Sequence, residues 1–290
     1  MTLGEIPTRT GVVGGGQMGA GIVHALLLAG SEVVLLERDP TAAQGADERV
    51  GRSCDKSVER GKIADAAEPM GRLTTTTDAA DLAACGLVVE AVPEDEQLKR
   101  ETLQRVEAVI ADDAALATNT SSISLDALAT SLRRPERLLG LHFFNPVPAS
   151  KLVEIVIASA TDEAWRERAV TWVRDGLGKT PVVVADSPGF ASSRLGVALG
   201  LEAIRMLEAG VASAEDIDAA MSLGYGHPMG PLRLTDLVGL DVRLGIARYL
   251  ERELGPRFAP PQLLVDLVEQ GHRGRKTGRG FYDWTKESTV

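Results

Sequence analysis

The sequence predicts two domains, an α/β half over residues 1–187 and an all-helical half over 188–290. Two observations predict this division. Up to about residue 185, short apolar, β-branched runs alternate with helical segments, the pattern of βαβ units and a parallel sheet. Beyond Pro188-Gly189 the strand signals stop and only helical periodicity continues.

Residues 1–10 read as a short polar lead. An apolar strand over 11–13 then runs into Gly14-Gly15-Gly16-Gln17-Met18-Gly19, and a helix follows with Ile22, Ala25, Leu26 and Ala29 on its apolar positions and Gly30 as its stop. Gly14, Gly16 and Gly19 fit G-x-G-x-x-G in the context that gives it meaning, a strand before and a helix after. The first glycine permits the tight turn, the second lets a pyrophosphate approach the backbone, and the third lets helix and strand pack closely. The helix N-terminus then faces the phosphates. This makes the first half a Rossmann-type dinucleotide-binding domain. The next strand, EVVLLERD, carries Glu37, 18 positions past Gly19. That is close to the roughly 20 expected for the ribose-binding acid. A carboxylate there accepts from a 2′-hydroxyl and repels a 2′-phosphate, so NAD is expected over NADP, with the adjacent Arg38 as the one feature pulling the other way.

Residues 41–70 carry no strong strand signal and read as a helix from 41 to about 60, a turn at Gly61, and a second short helix before Pro69. Lys56, Arg60 and Lys62 gather at that turn, either as a solvated helix face or as a site for an anionic nucleotide tail. Another βαβ-like unit follows: LVVEAVPED with Glu90 and Glu94, a helix over 97–110, and the strand ALATN followed by Thr120-Ser121-Ser122. Ligands of open α/β sheets bind beyond the carboxyl ends of strands. Glu94 and Ser121 both stand there, although Ser121 also suits a plain loop or N-cap serine. A short helix is expected over 125–132.

GLHFFNPVPASKLVEIVI, residues 140–157, reads as two strands around a Pro- and Asn-rich loop. His142 and Glu154 are equidistant from Pro148, so a loop centred there makes them cross-strand neighbours, with Cβ atoms roughly 5 Å apart. A carboxylate holding one imidazole nitrogen leaves proton exchange to the other. The alternative is a satisfied core histidine beside a strand-end charge. A helix over 163–176 and a strand over 180–185 close the first half. In the second half, helices are expected over 191–209, from a Ser213-x-x-Asp216 start to Gly224, along the single run LTDLVGLDVRLGIARYLERELG, and along PPQLLVDLVEQG. Lys276, Phe281, Tyr282 and Trp284 are expected to pack the tail onto the body.

Apolar residues at 44% support a full core, and a net charge of −10 argues against non-specific nucleic-acid binding. Cys54 and Cys85 lie in no metal spacing, so no metal is expected, and two cysteines fit a reducing cytoplasm. No signal peptide is evident, and no apolar run reaches the ~18–20 residues of a membrane span.

Taken in order, GGGQMGAGI, LVVEAVPED, TNTSSIS, GLHFFNPVPASKLVEIV, DSPGF, GHPMGPLRLTD and KTGRGFYDW resemble the L-3-hydroxyacyl-CoA dehydrogenases, of the short bacterial 3-hydroxybutyryl-CoA type. The resemblance covers nearly the whole chain. It implies NAD-dependent interconversion of 3-hydroxyacyl-CoA and 3-ketoacyl-CoA, and a homodimer formed through the helical domain. It makes His142 the catalytic acid–base and Glu154 its partner. Ser121 and Asn145 become substrate and cofactor contacts, and Gln17, Met18, Glu37, Glu94, Lys99 and Lys276 join the glycines at the cofactor. Ser53, Lys56 and Arg60 fall where the family holds the CoA tail. One position departs: Ser193 stands where the family has an Asn that orients the substrate oxygen. A serine hydroxyl still donates a hydrogen bond but is shorter. Ser150, in SKLVE, is a milder change. The departure at 193 keeps a second reading open, a related dehydrogenase acting on an acyl-carrier-protein thioester or a free hydroxy acid. A third is a non-enzymatic NAD-binding protein, which would need none of His142, Glu154 and Ser121.

Overall fold

A computed structural model describes residues 6–285. Contacts divide the chain into two units, Met1–Ser187 and Pro188–Val290.

The first unit is built on one eight-stranded sheet. Its strands are β1 (Arg9–Val13), β2 (Glu32–Leu36), β3 (Leu73–Thr76), β4 (Leu87–Glu90), β5 (Ala115–Thr118), β6 (Leu138–Phe143), β7 (Leu152–Ile157) and β8 (Thr180–Ala185). Its helices are α1 (Gln17–Leu28), α2 (Pro40–Glu59), α3 (Ala67–Met70), α4 (Glu96–Glu107), α5 (Leu125–Ala129) and α6 (Glu163–Thr171). The spatial order is β3-β2-β1-β4-β5-β6-β7-β8, parallel throughout except for the antiparallel β6–β7 pair. The first six strands follow the doubly wound order 3-2-1-4-5-6, whose switch point lies between β1 and β4.

Side chains alternate across the strands and feed two cores. Val12, Leu35, Val89, Ala117 and Leu141 lie on one face, under α1 and α2. Val13, Leu36, Val88, Leu116 and Leu138 lie on the other, with Leu103 and Val106 of α4. β4 and β5 are buried at every residue, as strands covered on both faces require. β8 is the exposed last strand, a position that tolerates its Pro181.

Four local expectations are corrected. The strand β3 falls where none was expected; its LTTT is short and polar, and it pairs only with β2 at the sheet edge. Pro69 lies inside α3 rather than after it. The helix expected over 163–176 ends at Thr171 and continues as a wider turn through Gly176. The long run after residue 231 is two helices, because Gly239 takes φ 105°, a left-handed conformation that a helix cannot contain.

The second unit comprises α7 (Ser192–Glu208), α8 (Ala214–Gly224), α9 (Pro231–Val238), α10 (Leu240–Leu254) and α11 (Gln262–Glu269) around one apolar core. Two buried acids close it. The Asp218 carboxylate caps α9, accepting from the amides of Leu232 and Arg233 at 2.8 Å each. Asp236 holds the tail, accepting from the Phe281 and Tyr282 amides at 2.9 Å and from Trp284 Nε1 at 2.8 Å. The tail aromatics therefore dock as expected.

Candidate active site

The glycine turn after β1 performs three different tasks. Gly14 takes φ 92°. A Cβ on Gly19 would stand 1.7 Å from the Gly14 carbonyl oxygen, so only glycine lets α1 approach the turn. A Cβ on Gly16 would meet nothing within 4 Å. That open space faces the start of α1, whose first turn carries no acid, and it suits an incoming pyrophosphate. Glu37 stands beside this turn: its Oε1 accepts from the Gly15 amide at 2.6 Å and its Oε2 from the Arg38 amide at 3.0 Å. The Arg38 guanidinium turns to Asp39 at 3.0 Å. An acid at the turn and a neutralised neighbour fit a dinucleotide with a free 2′-hydroxyl.

Across the switch point the end of β4 holds an acid–base cluster. Glu90, wholly buried, accepts from Lys99 Nζ at 2.8 Å and from Thr118 Oγ1 at 2.7 Å. Glu94 accepts from Thr120 Oγ1 at 2.6 Å and from the Ser121 amide at 2.9 Å, with the Ser121 hydroxyl at 3.2 Å. Burial works against its ionisation, but Lys99 and these hydrogen bonds outweigh burial and hold its carboxyl below the usual range. Lys99 is 1% exposed, enclosed by Glu90, Glu94 and the Val92 carbonyl. Its ammonium faces Glu94, and Glu94 carries the more open surface.

The hairpin meets the expectation set by its spacing. His142 and Glu154 are register partners of β6 and β7. Nδ1 of His142 lies 2.8 Å from Oε2 of Glu154, both residues buried. A carboxylate at Nδ1 sets the tautomer and steadies the ring when it takes a second proton. The Phe144 ring stands 4.4 Å from the imidazole. Asn119 Oδ1 accepts from the Phe143 amide at 2.9 Å and fixes the strand exit beside the Ser121 loop. Asn145 Oδ1 accepts from Gln17 Nε2 at 3.1 Å, which ties the hairpin loop to the glycine turn. Lys179 pins that loop through the Val147 carbonyl at 2.8 Å and the Ser150 carbonyl. Gln17, His142, Asn145 and Glu154 all belong to the first unit.

A groove of about 560 Å³ opens beside them. Ser53, Lys56 and Arg60, the residues that the family resemblance assigns to the CoA tail, line it. So do Arg49, Arg52 and Lys62, with the 145–149 loop as the far wall. Arg49 and Arg52 go beyond the expected set. The signal that marks them is helical spacing: positions 49, 52, 53, 56 and 60 share one helix face. Arg49 Nη1 donates to the Gly15 carbonyl at 3.2 Å, so the cationic row runs from the glycine turn outward. Behind the groove, His24 Nε2 lies 2.9 Å from the Ser57 hydroxyl, and burial, reinforced by Lys62 and Lys179, pushes its pKa down.

Two expected site residues belong to the helical unit. Ser193 sits half-buried in the first turn of α7. The Lys276 ammonium is held by Asp241, with Nζ–Oδ1 at 2.6 Å. Among the described residues no cluster of three or more His, Cys, Asp or Glu could hold a metal ion, and no helix is long and apolar enough to cross a membrane.

A doubly wound sheet with a glycine-turn cradle and a carboxylate-held histidine defines an NAD-binding dehydrogenase architecture. The chain belongs to the 3-hydroxyacyl-CoA dehydrogenase family: the family's NAD binding domain matches residues 9–187 and its C-terminal domain residues 189–284. It is 45% identical to a 3-hydroxybutyryl-CoA dehydrogenase of Mycobacterium tuberculosis over 280 residues, 95% of this chain and 98% of that one. It is 41% identical to the mitochondrial hydroxyacyl-coenzyme A dehydrogenase of Rattus norvegicus, over 94% of this chain and 90% of the relative. The crystal structure of (S)-3-hydroxybutyryl-CoA dehydrogenase PaaH1 from Ralstonia eutropha superposes with a TM-score of 0.91 at 37% identity, covering 97% of this chain and all of that one.

Proposed function

We propose that this protein interconverts 3-hydroxyacyl-CoA and 3-ketoacyl-CoA, 3-hydroxybutyryl-CoA among them, with His142 as the acid–base. The observation that carries this reading is the buried His142–Glu154 pair beside a glycine turn open at Gly16. NAD, when bound, supplies the two-electron acceptor. Gly14, Gly16, Gln17, Met18 and Gly19 form its pyrophosphate cradle, and Glu37 takes the ribose. Glu94, Ser121 and Asn145 line the reacting end. His142 takes the 3-hydroxyl proton at Nε2 as C3 becomes a carbonyl carbon, and Glu154 stabilises the resulting imidazolium. In the reverse direction the imidazolium returns that proton to the developing alkoxide. Acid–base help of this kind contributes about 10²–10⁴-fold. Ser121 donates a hydrogen bond to a substrate oxygen. The CoA tail lies along Arg49, Arg52, Ser53, Lys56 and Arg60, and this cationic row favours a CoA ester over a free hydroxy acid.

The first unit, on this reading, is the NAD-binding domain and residues 188–290 the substrate and dimerisation domain. Leu223 and Tyr225 are 87% and 78% exposed on the helical unit, which supports a homodimer formed there. Sedimentation should give twice the chain mass, and a monomer at micromolar concentration would end that part of the reading. A cytoplasmic location is supported by the two free, buried cysteines; burial raises the Cys85 thiol to about 11. Recovery of the protein from an oxidising compartment would contradict it.

The test is oxidation of NADH by the purified protein with acetoacetyl-CoA, with NADPH and free acetoacetate run in parallel. Turnover with NADH and the CoA ester alone is expected. No turnover, in protein that binds NADH, would transfer the reading to another hydroxy compound.

A further inference from the structure

One lysine holds the hairpin loop between β6 and β7. Lys179 stands one residue before β8, whose Thr180 is the register partner of Leu152 and donates its amide to the Lys151 carbonyl at 2.6 Å. That register brings Lys179 to the point where the loop re-enters the sheet. Its ammonium donates to the Val147 carbonyl at 2.8 Å and to the Ser150 carbonyl. Among the described residues it pairs with no carboxylate, and burial, followed by the Lys62 charge, pushes its pKa below the usual lysine range. Lys99, by contrast, has Glu90 and Glu94. A half-buried ammonium without a counter-charge is costly, and the two loop carbonyls are what offset that cost here.

Those carbonyls bracket the tip of the loop. Within it the Ala149 and Ser150 amides both donate to the Pro146 carbonyl at 3.0 Å, so residues 146–150 form a closed turn. The same turn is seated on α1. A Cβ on Gly21 would stand 2.9 Å from Cβ and Cγ2 of Val147, so the bare backbone at 21 is what admits Val147, which is 2% exposed. Asn145 bonds Gln17, in the first turn of that helix. The exposed Lys62 reaches the Pro148 carbonyl at 3.5 Å, so Lys179 supplies the firmer of the two ammonium contacts to the turn.

We propose that Lys179 is a positioning residue for the reaction: by holding the Val147 and Ser150 carbonyls it keeps the 145–149 segment in place as the far wall of the cationic groove, and keeps Asn145 at the glycine turn. It acts through this loop rather than on the reacting atoms. The inference rests on the reading that the groove takes the CoA ester and that Asn145 lines the reacting end. Without the ammonium, two loop carbonyls lose their donor and must find water instead, which shifts the wall. His142 and Glu154 keep their places, because strand register holds them. The loss therefore falls on binding of the ester more than on proton transfer.

The experiment measures KM and kcat for acetoacetyl-CoA with NADH in the unmodified protein, Lys179→Met, Lys179→Gln and Lys179→Arg, with a thermal melt of each. Lys179→Met keeps the length of the side chain and removes its donors. Its KM should rise about tenfold or more, the lower range for hydrogen bonds to a charged group. Its kcat should change less than KM, and the pH at which kcat is half-maximal should stay where His142 sets it. Lys179→Arg, which can still donate to both carbonyls, should recover most of the loss in KM. A lysine that serves stability alone gives the opposite split: part of the protein unfolds, apparent kcat falls and KM stays. That split in a folded Lys179→Met or Lys179→Gln would overturn the proposal, and so would failure of both variants to fold. The unmodified protein separates the two readings. If it binds NADH and turns over no acetoacetyl-CoA, the dehydrogenase reading itself fails; if it turns the ester over and the variants match its KM, only the role of Lys179 fails.

Discussion

At the residue scale, the proposed chemistry depends on one imidazole and the carboxylate paired with it. Nδ1 of His142 is engaged by Glu154 at 2.8 Å, so the two side chains act as a unit. His142→Ala should lower turnover by about 10²–10⁴-fold while leaving NADH binding near its original affinity, measured by fluorescence titration. Glu154→Gln should fall comparably, because an amide at Nδ1 tolerates the wrong tautomer; an analogous carboxylate-to-amide change in a serine protease costs about 10⁴-fold. The double variant should be little worse than either single one, since residues acting as a unit are not additive. Additive losses, or loss of NADH binding in His142→Ala, would show that the two do not form the acid–base pair. The pairing is legible in the chain itself, because antiparallel register converts equal spacing about a loop centre into proximity. Arg49 is less legible. Its contact with the Gly15 carbonyl depends on how α2 crosses the glycine turn, which sequence periodicity does not express.

At the element scale, the glycine turn separates packing from binding. Gly19→Ala forces a methyl against the Gly14 carbonyl and should destabilise the fold by about 1–3 kcal/mol, the usual cost of overpacking. Gly16→Ala meets empty space and should stay within about 0.5 kcal/mol of the original stability. On the proposed reading its methyl occupies the space where the pyrophosphate approaches, so NADH affinity should still fall on the order of tenfold. Thermal melts and NADH titrations on the two proteins check this. A Gly16→Ala variant that binds NADH normally would mean the cofactor does not approach there. Strong βαβ periodicity makes most strands and helices readable. β3 escapes because a four-residue threonine-rich edge strand has almost no apolar pattern, and its place is decided by pairing with β2. The α9–α10 break escapes because a lone glycine inside helical periodicity reads as tolerated until its φ is known.

At the scale of the whole molecule, an acidic chain carries a local cationic row. The net charge is −10, yet Arg49, Arg52, Lys56, Arg60 and Lys62 line a single groove. If that row binds the phosphates of CoA, KM for acetoacetyl-CoA should rise several-fold between about 50 and about 500 mM salt, as the screening length shortens. KM for the phosphate-free acetoacetyl-N-acetylcysteamine ester should change little. Parallel salt dependence of the two would remove the groove from substrate binding. The sequence by itself determined the division into an α/β and a helical half, the glycine turn, the acid after β2, and the histidine–glutamate pair. Each of these follows from local periodicity or from a spacing that backbone geometry converts directly into contact. Only the tertiary structure decided that Lys99 is sealed behind Glu94, that the cations of α2 and the hairpin loop form one groove, and that Lys179 holds that loop by two carbonyls. Burial and long-range pairing are set by how distant elements pack, and no local pattern in the chain records them.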